Sequence, residues 1–286
     1  MASDVPEHAS SALEEEVTYC HGHPDTPTKL RCSRCDRPIC GRCAIPATVG
    51  QHCPWCLAEA RRSAPRIRST MAANAPVVLA IVVVNAAFFL AQRLDAGITL
   101  RLGAIPAAIA AGQWYRLLTP MLLHANILHI GLNMFVLWIY GPYVEQAFGR
   151  VRFLAVYVVS GFMGGALSFA LGPCRTIGVG ASGAIFGVVG ALLVHLYNRR
   201  RSSFVAGYLR DLVGFVVLNL LIGFVLPQID YLAHLGGLAG GVALGVAYDR
   251  AGSGALPAGA KAIATAAVVG AGLALVMWRA GQGACL

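Results

Sequence analysis

Four polar side chains interrupt long apolar runs: His129, Asn133, Ser182 and His234. A serine hydroxyl is a weak nucleophile until an adjacent base takes its proton, and an imidazole titrating near neutrality suits that task. Ser182 and His234 are therefore read as a nucleophile–base dyad. His129 and Asn133 stand four apart, on one helix face. With the Ser182 backbone N–H they would supply donors for a developing oxyanion. No carboxylate is placed as a third triad member, and Asp230, one turn before His234, reads as a helix cap. Taken singly, each polar residue has a plainer reading, because an intramembrane Ser, Asn or His commonly bonds a neighbouring helix.

A second set of reactive side chains lies near the start of the chain: Cys20-x-x-His23, Cys32-x-x-Cys35, Cys40-x-x-Cys43 and Cys53-x-x-Cys56. Four ligand pairs at two-residue separation signal zinc, and eight ligands fill two tetrahedral structural sites with no open position. The short spacer between the second and third pairs suggests interleaving, with the first and third pairs on one ion and the second and fourth on the other. His52 is an alternative ligand for the last pair. Disulfides are the competing reading, but a cytoplasmic location keeps thiols reduced. Cys174 and Cys285 fall outside this pattern and receive no role.

The elements that must carry the polar four are membrane spans. Of the 286 residues 57% are hydrophobic and 12% charged, against roughly 25% charged in soluble domains. That composition excludes a soluble globular enzyme, a disordered protein and a small disulfide scaffold. Eight of the 13 acidic residues and seven of the nine cysteines precede residue 60, and no signal peptide is expected where Glu14, Glu15 and Glu16 stand. Seven spans are expected, at 75–92, 121–140, 153–171, 177–197, 208–226, 231–248 and 262–278. With the N-terminus inside, twelve basic residues flank the inner ends and five the outer ends, which favours that orientation. The net charge of +9 is then explained by cytoplasmic loops rather than by nucleic acid. The second, fourth and sixth spans enter from outside, so all four polar residues fall in the outer half of the membrane. Gly183, Gly187 and Gly190 in span four, and Gly237, Gly241 and Gly245 in span six, would let those two backbones approach closely. That approach would bring Ser182 within reach of His234. Glu145, just beyond span two, reads as the anchor of a helix end, and His195 as an interfacial residue.

These residues resemble a known family. Trp114-Tyr115-Arg116, His124, His129-x-x-x-Asn133, Gly180-Ala181-Ser182-Gly183 and Ala233-His234-x-Gly236-Gly237 occur in the order found in rhomboid intramembrane serine proteases. The resemblance implies a six-helix core with Ser182 as nucleophile, His234 as general base, and His129 and Asn133 in the oxyanion hole. It implies that the substrates are transmembrane segments and that catalysis needs no cofactor. His124, Arg116 and Gly180 would support the site. Phe186 stands where a tyrosine that stacks on the histidine is often found, and Tyr115 where the family often has tryptophan. The head is similar, more loosely, to B-box or RING cross-brace modules.

The fold expected is an all-α polytopic membrane protein: a rhomboid-like six-helix core plus one C-terminal transmembrane helix, with a small cytoplasmic zinc-binding domain. The organisation is a disordered leader at 1–19, a two-zinc module at 20–57, a basic linker at 58–74, the protease core at 75–250, and a loop and seventh helix at 251–286. The bilayer, transmembrane substrates and a protein partner of the zinc module are the expected partners, with no nucleic acid. The Arg-rich, Lys-poor composition suggests a bacterial inner membrane, with the site opening outside and the C-terminus outside. A catalytically inactive rhomboid-like scaffold acting through its zinc module is the alternative function.

Overall fold

The computed structural model describes residues 17–47, 49–63, 75–249, 257–283 and 285. The chain divides into two compact units, 1–69 and 70–286. The disorder expected for 1–16, and most of the expected linker, lie outside the described residues; Tyr19 is already in a strand.

The first unit has little sheet. Strands β1 (Tyr19–Cys20) and β2 (His23–Pro27) pair antiparallel, as do β3 (Ile45–Pro46) and β4 (Gln51–His52), and α1 (Pro54–Ser63) follows. Its buried core consists of Ile39 and six cysteines. So little apolar surface cannot stabilise a fold of this size unaided.

The second unit is a helical bundle. Six of its helices are long and apolar enough to cross a membrane: α2 (Pro76–Leu94), α5 (Ile127–Phe148), α6 (Arg150–Leu171), α8 (Ser203–Val225), α9 (Tyr231–Tyr248) and α10 (Ala258–Gly281). Short helices α3 (Gly97–Leu102) and α4 (Pro106–Ala110), then two 3-10 turns over Trp114–Leu117 and Thr119–Leu122, fill the connection from α2 to α5.

α7 (Ser182–Tyr197) corresponds to the fourth expected span and is the shortest of the helices that stand for the expected spans, at 16 residues. It is about 24 Å long, against a hydrocarbon core of about 30 Å. Its shortness follows from its surroundings. Residues 183–192 are all buried among neighbouring helices, so α7 meets protein rather than lipid. Ile177–Gly180, expected as the first turn of this span, is not helical. Gly178 instead makes a two-bond bridge with Ala104, both N···O distances 2.9 Å, and the Gly180 N–H donates to the Pro120 carbonyl at 2.9 Å. Non-helical backbone at membrane depth is tolerated where protein satisfies its polar groups in this way. Span two is also corrected: Met121 lies in a 3-10 turn, and α5 begins at Ile127, capped by Asn126.

α7 packs against α9 backbone to backbone. A Cβ on Gly237 would overlap the Gly183 carbonyl, and one on Gly241 the Gly187 carbonyl. The glycine ridges expected to meet do meet. Glu145, buried near the end of α5, accepts the N–H groups of Val77 and Val78 at 3.1 and 2.9 Å, so it caps the start of α2.

Candidate active site

Ser182, His129 and His234 all sit in the first turn of their helices, α7, α5 and α9, and Asn133 is one turn further along α5. Spans that alternate in direction put the N-termini of α5, α7 and α9 on one face of the bundle. The fourth span, expected from residue 177, would have put Ser182 one to two turns down its helix; Ser182 is instead the first helical residue. The first intrahelical bond of α7 runs from the Ile185 N–H to the Ala181 carbonyl. That leaves the Ser182 N–H without an intrahelical partner, at the positive end of the helix.

His234 is 7% exposed. Phe186, one turn after Ser182, lies parallel to it with ring centroids 4.2 Å apart and planes 8° apart. Ala233, the neighbour of His234, has its carbonyl against Gly183, the neighbour of Ser182; a Cβ on Gly183 would stand 3.1 Å from that oxygen. Serine and histidine thus occupy adjacent positions across the closest helix contact in the bundle. Among the described residues no hydrogen bond joins them, and His234 Nδ1 is buried without a partner. Catalytic hydrogen bonds in unliganded sites are often loose and tighten only with substrate.

Gly180 defines the space between Ser182 and His129. Its φ is +134°, a conformation that disfavours any side chain. A Cβ there would lie 2.9 Å from His129 Nε2 and 3.7 Å from Ser182 Oγ. His129 Nδ1 accepts the Ala125 N–H at 3.4 Å, so its remaining proton is assigned to Nε2, facing that space. Asn133 donates one Nδ2 hydrogen to the His129 carbonyl at 2.8 Å and keeps a second; its Oδ1 is buried and unpaired.

The residues expected to support the site lie further out. His124 is 2% exposed and packs edge-on to His129 at 5.1 Å, with both ring nitrogens unpaired. Arg116 is buried and donates to the carbonyls of Leu100 and Gly103 at 2.9 and 2.7 Å and to Gln113 at 2.6 Å, which pins the connection between α2 and α5. Asp230 caps α9 through the Ala233 N–H at 2.9 Å, as expected, and also accepts the Ser168 hydroxyl of α6. Sequence reasoning missed three further contributors. Gln92 accepts the His124 N–H at 3.0 Å, and nothing in the sequence distinguishes it. Asn126, placed just before an apolar run, carried a readable cap signal. Cys174 and Cys285 form a disulfide across 111 residues.

In the first unit the eight expected ligands fall into two groups that could each hold a metal ion, Cys20, His23, Cys40, Cys43 and Cys32, Cys35, Cys53, Cys56, with the donor atoms of each group within 4.8 Å of one another. The interleaved pairing holds, and His52 belongs to neither group. Sulfurs about 2.3 Å from a common tetrahedral zinc would stand about 3.8 Å apart; Cys35 and Cys53 Sγ are 3.7 Å apart. His23 Nδ1 is 3.4 and 3.3 Å from the sulfurs of Cys40 and Cys43. Burial opposes ionisation of Cys20 and Cys32, but backbone N–H groups directed at both sulfurs outweigh it and lower the thiols to about 6. Three or four soft thiolates with at most one imidazole form a donor set that suits zinc.

Residues 111–250 match the family model described as "Rhomboid domain". The chain is 43% identical over 134 residues to "Rhomboid protease GluP" of Bacillus subtilis, covering 46% of this chain and 26% of that one. It is 40% identical over 150 residues to "RHOMBOID-like protein 6, mitochondrial" of Arabidopsis thaliana, covering 51% and 48%. It is 35% identical over 136 residues to "Putative rhomboid protease YdcA" of Bacillus subtilis, covering 48% and 68%. The chain thus spans about a quarter of the first of these relatives and about half of the second.

Proposed function

Because this chain belongs to the rhomboid family, we propose that it is an intramembrane serine endopeptidase that cuts transmembrane segments with Ser182 and His234. The observation that carries this reading is the space at Gly180, where a single added atom would touch both the Ser182 hydroxyl and the His129 imidazole. A scissile carbonyl seated there meets a nucleophile and a donor together. Ser182 Oγ attacks the carbonyl carbon while His234 takes the hydroxyl proton. The resulting oxyanion receives the Ser182 N–H, His129 Nε2–H and the second Asn133 Nδ2–H. His234 then gives its proton to the leaving amine, and water, activated by the same imidazole, hydrolyses the acyl-enzyme. Gly180 and the free N-terminus of α7 leave the substrate backbone room to approach.

The decisive test compares wild type with Ser182→Ala on a panel of single-span reporter proteins, together with labelling by a serine-directed phosphonate. Cleavage and labelling should both vanish in the variant. Cleavage that persists there refutes the assignment, and absence of any Ser182-dependent cleavage across the panel favours a non-catalytic scaffold.

The head would hold two structural zinc ions, one on Cys20, His23, Cys40 and Cys43 and one on Cys32, Cys35, Cys53 and Cys56. Both sites are closed by protein ligands and offer no position for a reacting water. Their thiolates belong on the reducing side of the membrane, so the N-terminus is assigned to the cytoplasm and the Ser182 face to the opposite side.

A further inference from the structure

The segment between α6 and α7 delivers Ser182 to the site, and it is fastened at three points. At its end the Gly180 N–H is held by the Pro120 carbonyl, and in its middle Gly178 bridges to Ala104. At its beginning Cys174, eight residues before Ser182, is joined by a disulfide to Cys285, beyond the end of α10, with Cα atoms 5.1 Å apart. Arg279, in the last turn of α10, reinforces this junction: its Nη2 donates to the Gly172 carbonyl at 3.4 Å and lies 3.6 and 3.9 Å from the two sulfurs. Further along α10, Val276 packs with Ile109, Leu117, Ala166 and Phe169. That cluster joins α6 to the loop carrying Arg116. α10 therefore packs on α6 and on the loop before α5 as well as holding the start of the segment that presents Ser182. Two of the three fastenings are backbone hydrogen bonds, and the third is covalent and reducible.

We propose that the Cys174–Cys285 disulfide is a redox-cleavable clasp by which α10 holds the Ser182-bearing segment in its working position. Opening it is a two-electron reduction by a dithiol: the S–S bond breaks, the thiols of Cys174 and Cys285 form, and the dithiol leaves as its own disulfide. The two remaining hydrogen-bonded fastenings then hold the segment alone, and the position of Ser182 relaxes. The arrangement also sorts the nine cysteines by compartment. Seven lie together as metal ligands in the first unit. The other two lie on the face that carries the N-terminus of α7, and a persistent disulfide marks that face as the oxidising one.

The clasp's effect on catalysis rests on the protease reading, so its test pairs activity with a measurement that needs no catalysis. Detergent-solubilised full-length protein is compared before and after a phosphine reductant, which leaves thiolate-bound zinc in place. Cys174→Ser, Cys285→Ser and the double variant are measured alongside. Mass spectrometry of the unreduced protein should find the two cysteines linked. Reduction should raise amide hydrogen exchange at Gly178 and Gly180 and lower reporter cleavage by about tenfold, within the hundredfold that a misplacement of ~1 Å can cost. The three variants should match reduced wild type and no longer respond to reductant. Free thiols at both positions, unchanged exchange on reduction, or equal reductant sensitivity in Cys174→Ser would each overturn the clasp. Loss of Ser182-dependent cleavage with the exchange response intact would overturn the protease reading alone.

Discussion

The Phe186 ring lies flat against His234, 4.2 Å between centroids and 8° between planes. A ring one turn along the same helix from Ser182 therefore lies against the plane of the His234 imidazole, the proposed base. Aromatic contacts of this kind are worth about 0.5–1.5 kcal/mol beyond area burial, but their geometric effect on a reacting imidazole is larger. Phe186→Tyr keeps the flat face and should retain cleavage close to wild type. Phe186→Leu removes the flat face and leaves part of its volume empty, costing about 1–3 kcal/mol of stability, and it frees the imidazole to tilt. Its cleavage, measured well below the Tm of the variant, should fall by about tenfold or more. Equal rates for Leu and Phe at this position would show that the stack does not orient the base.

Gly180 permits a different test, because one methyl group there has two effects. At φ +134° a side chain strains the backbone by about 1–3 kcal/mol, and its Cβ would stand 2.9 Å from His129 Nε2. Gly180→Ala should still give a folded, membrane-inserted protein, since the strain is small beside the packing of α7 against α9. It should lose cleavage by about a hundredfold, because the added atom occupies the oxyanion's place. Phosphonate labelling of Ser182 should fall in parallel, as the reagent must seat an oxygen in the same space. Labelling at the wild-type rate would mean that the oxyanion lies elsewhere.

Much of this was readable in the sequence, for identifiable reasons. Charge counting alone put His129, Ser182 and His234 on one side, because a strict alternation of spans leaves few choices. The glycines of α7 and α9 announced their contact because only small residues allow it. The interleaved ligand pairing followed from a spacer too short to close a site on itself. What could not be read was where apolar sequence stops being helical. Ile177–Gly180 and Met121–Leu123 are as apolar as the helices they precede, and periodicity does not separate a short apolar extended segment from the start of a helix. Only the bond from Gly178 to Ala104, 74 residues apart in the chain, decides it. The Cys174–Cys285 link has the same character. Nothing local marks it, although both residues fall on the same expected side of the membrane.

At the opposite ends of α7 and α9, Asp249 is buried against Asn198 and Arg199, with hydrogen bonds of 2.8 and 2.9 Å. Burial by itself would raise the Asp249 carboxyl, but these donors outweigh it and hold it below the usual carboxylate range. Because its charge is favoured in the folded state, the contribution is fully present above the unfolded carboxyl pKa of about 4. It is lost as pH falls through the lower folded value. Asp249→Asn should therefore lower stability by on the order of 2 kcal/mol at neutral pH. The difference in Tm between wild type and variant should shrink as pH drops below about 4. A gap that stays constant down to acid pH would mean that the carboxylate charge contributes nothing there.

The last prediction concerns the head. If each ion sits in a closed set of four ligands, total metal by mass spectrometry should be about two zinc per chain. Cys43→Ala, which leaves Cys20, His23 and Cys40 with an open corner, should lower it to about one. His52→Ala should leave it unchanged, since His52 lies in neither group and instead occupies β4. The buried core of this unit is almost entirely its own ligands, so chelation should unfold it rather than merely empty it. Limited proteolysis would detect this as new cleavage between Cys20 and Cys56. The bundle's Ser182-dependent activity on a reporter should persist after chelation, because each set of four ligands would leave no open position for a reacting water. Zinc found bound but fully removable without a change in protease sensitivity would show that the head folds through contacts other than its metal ligands.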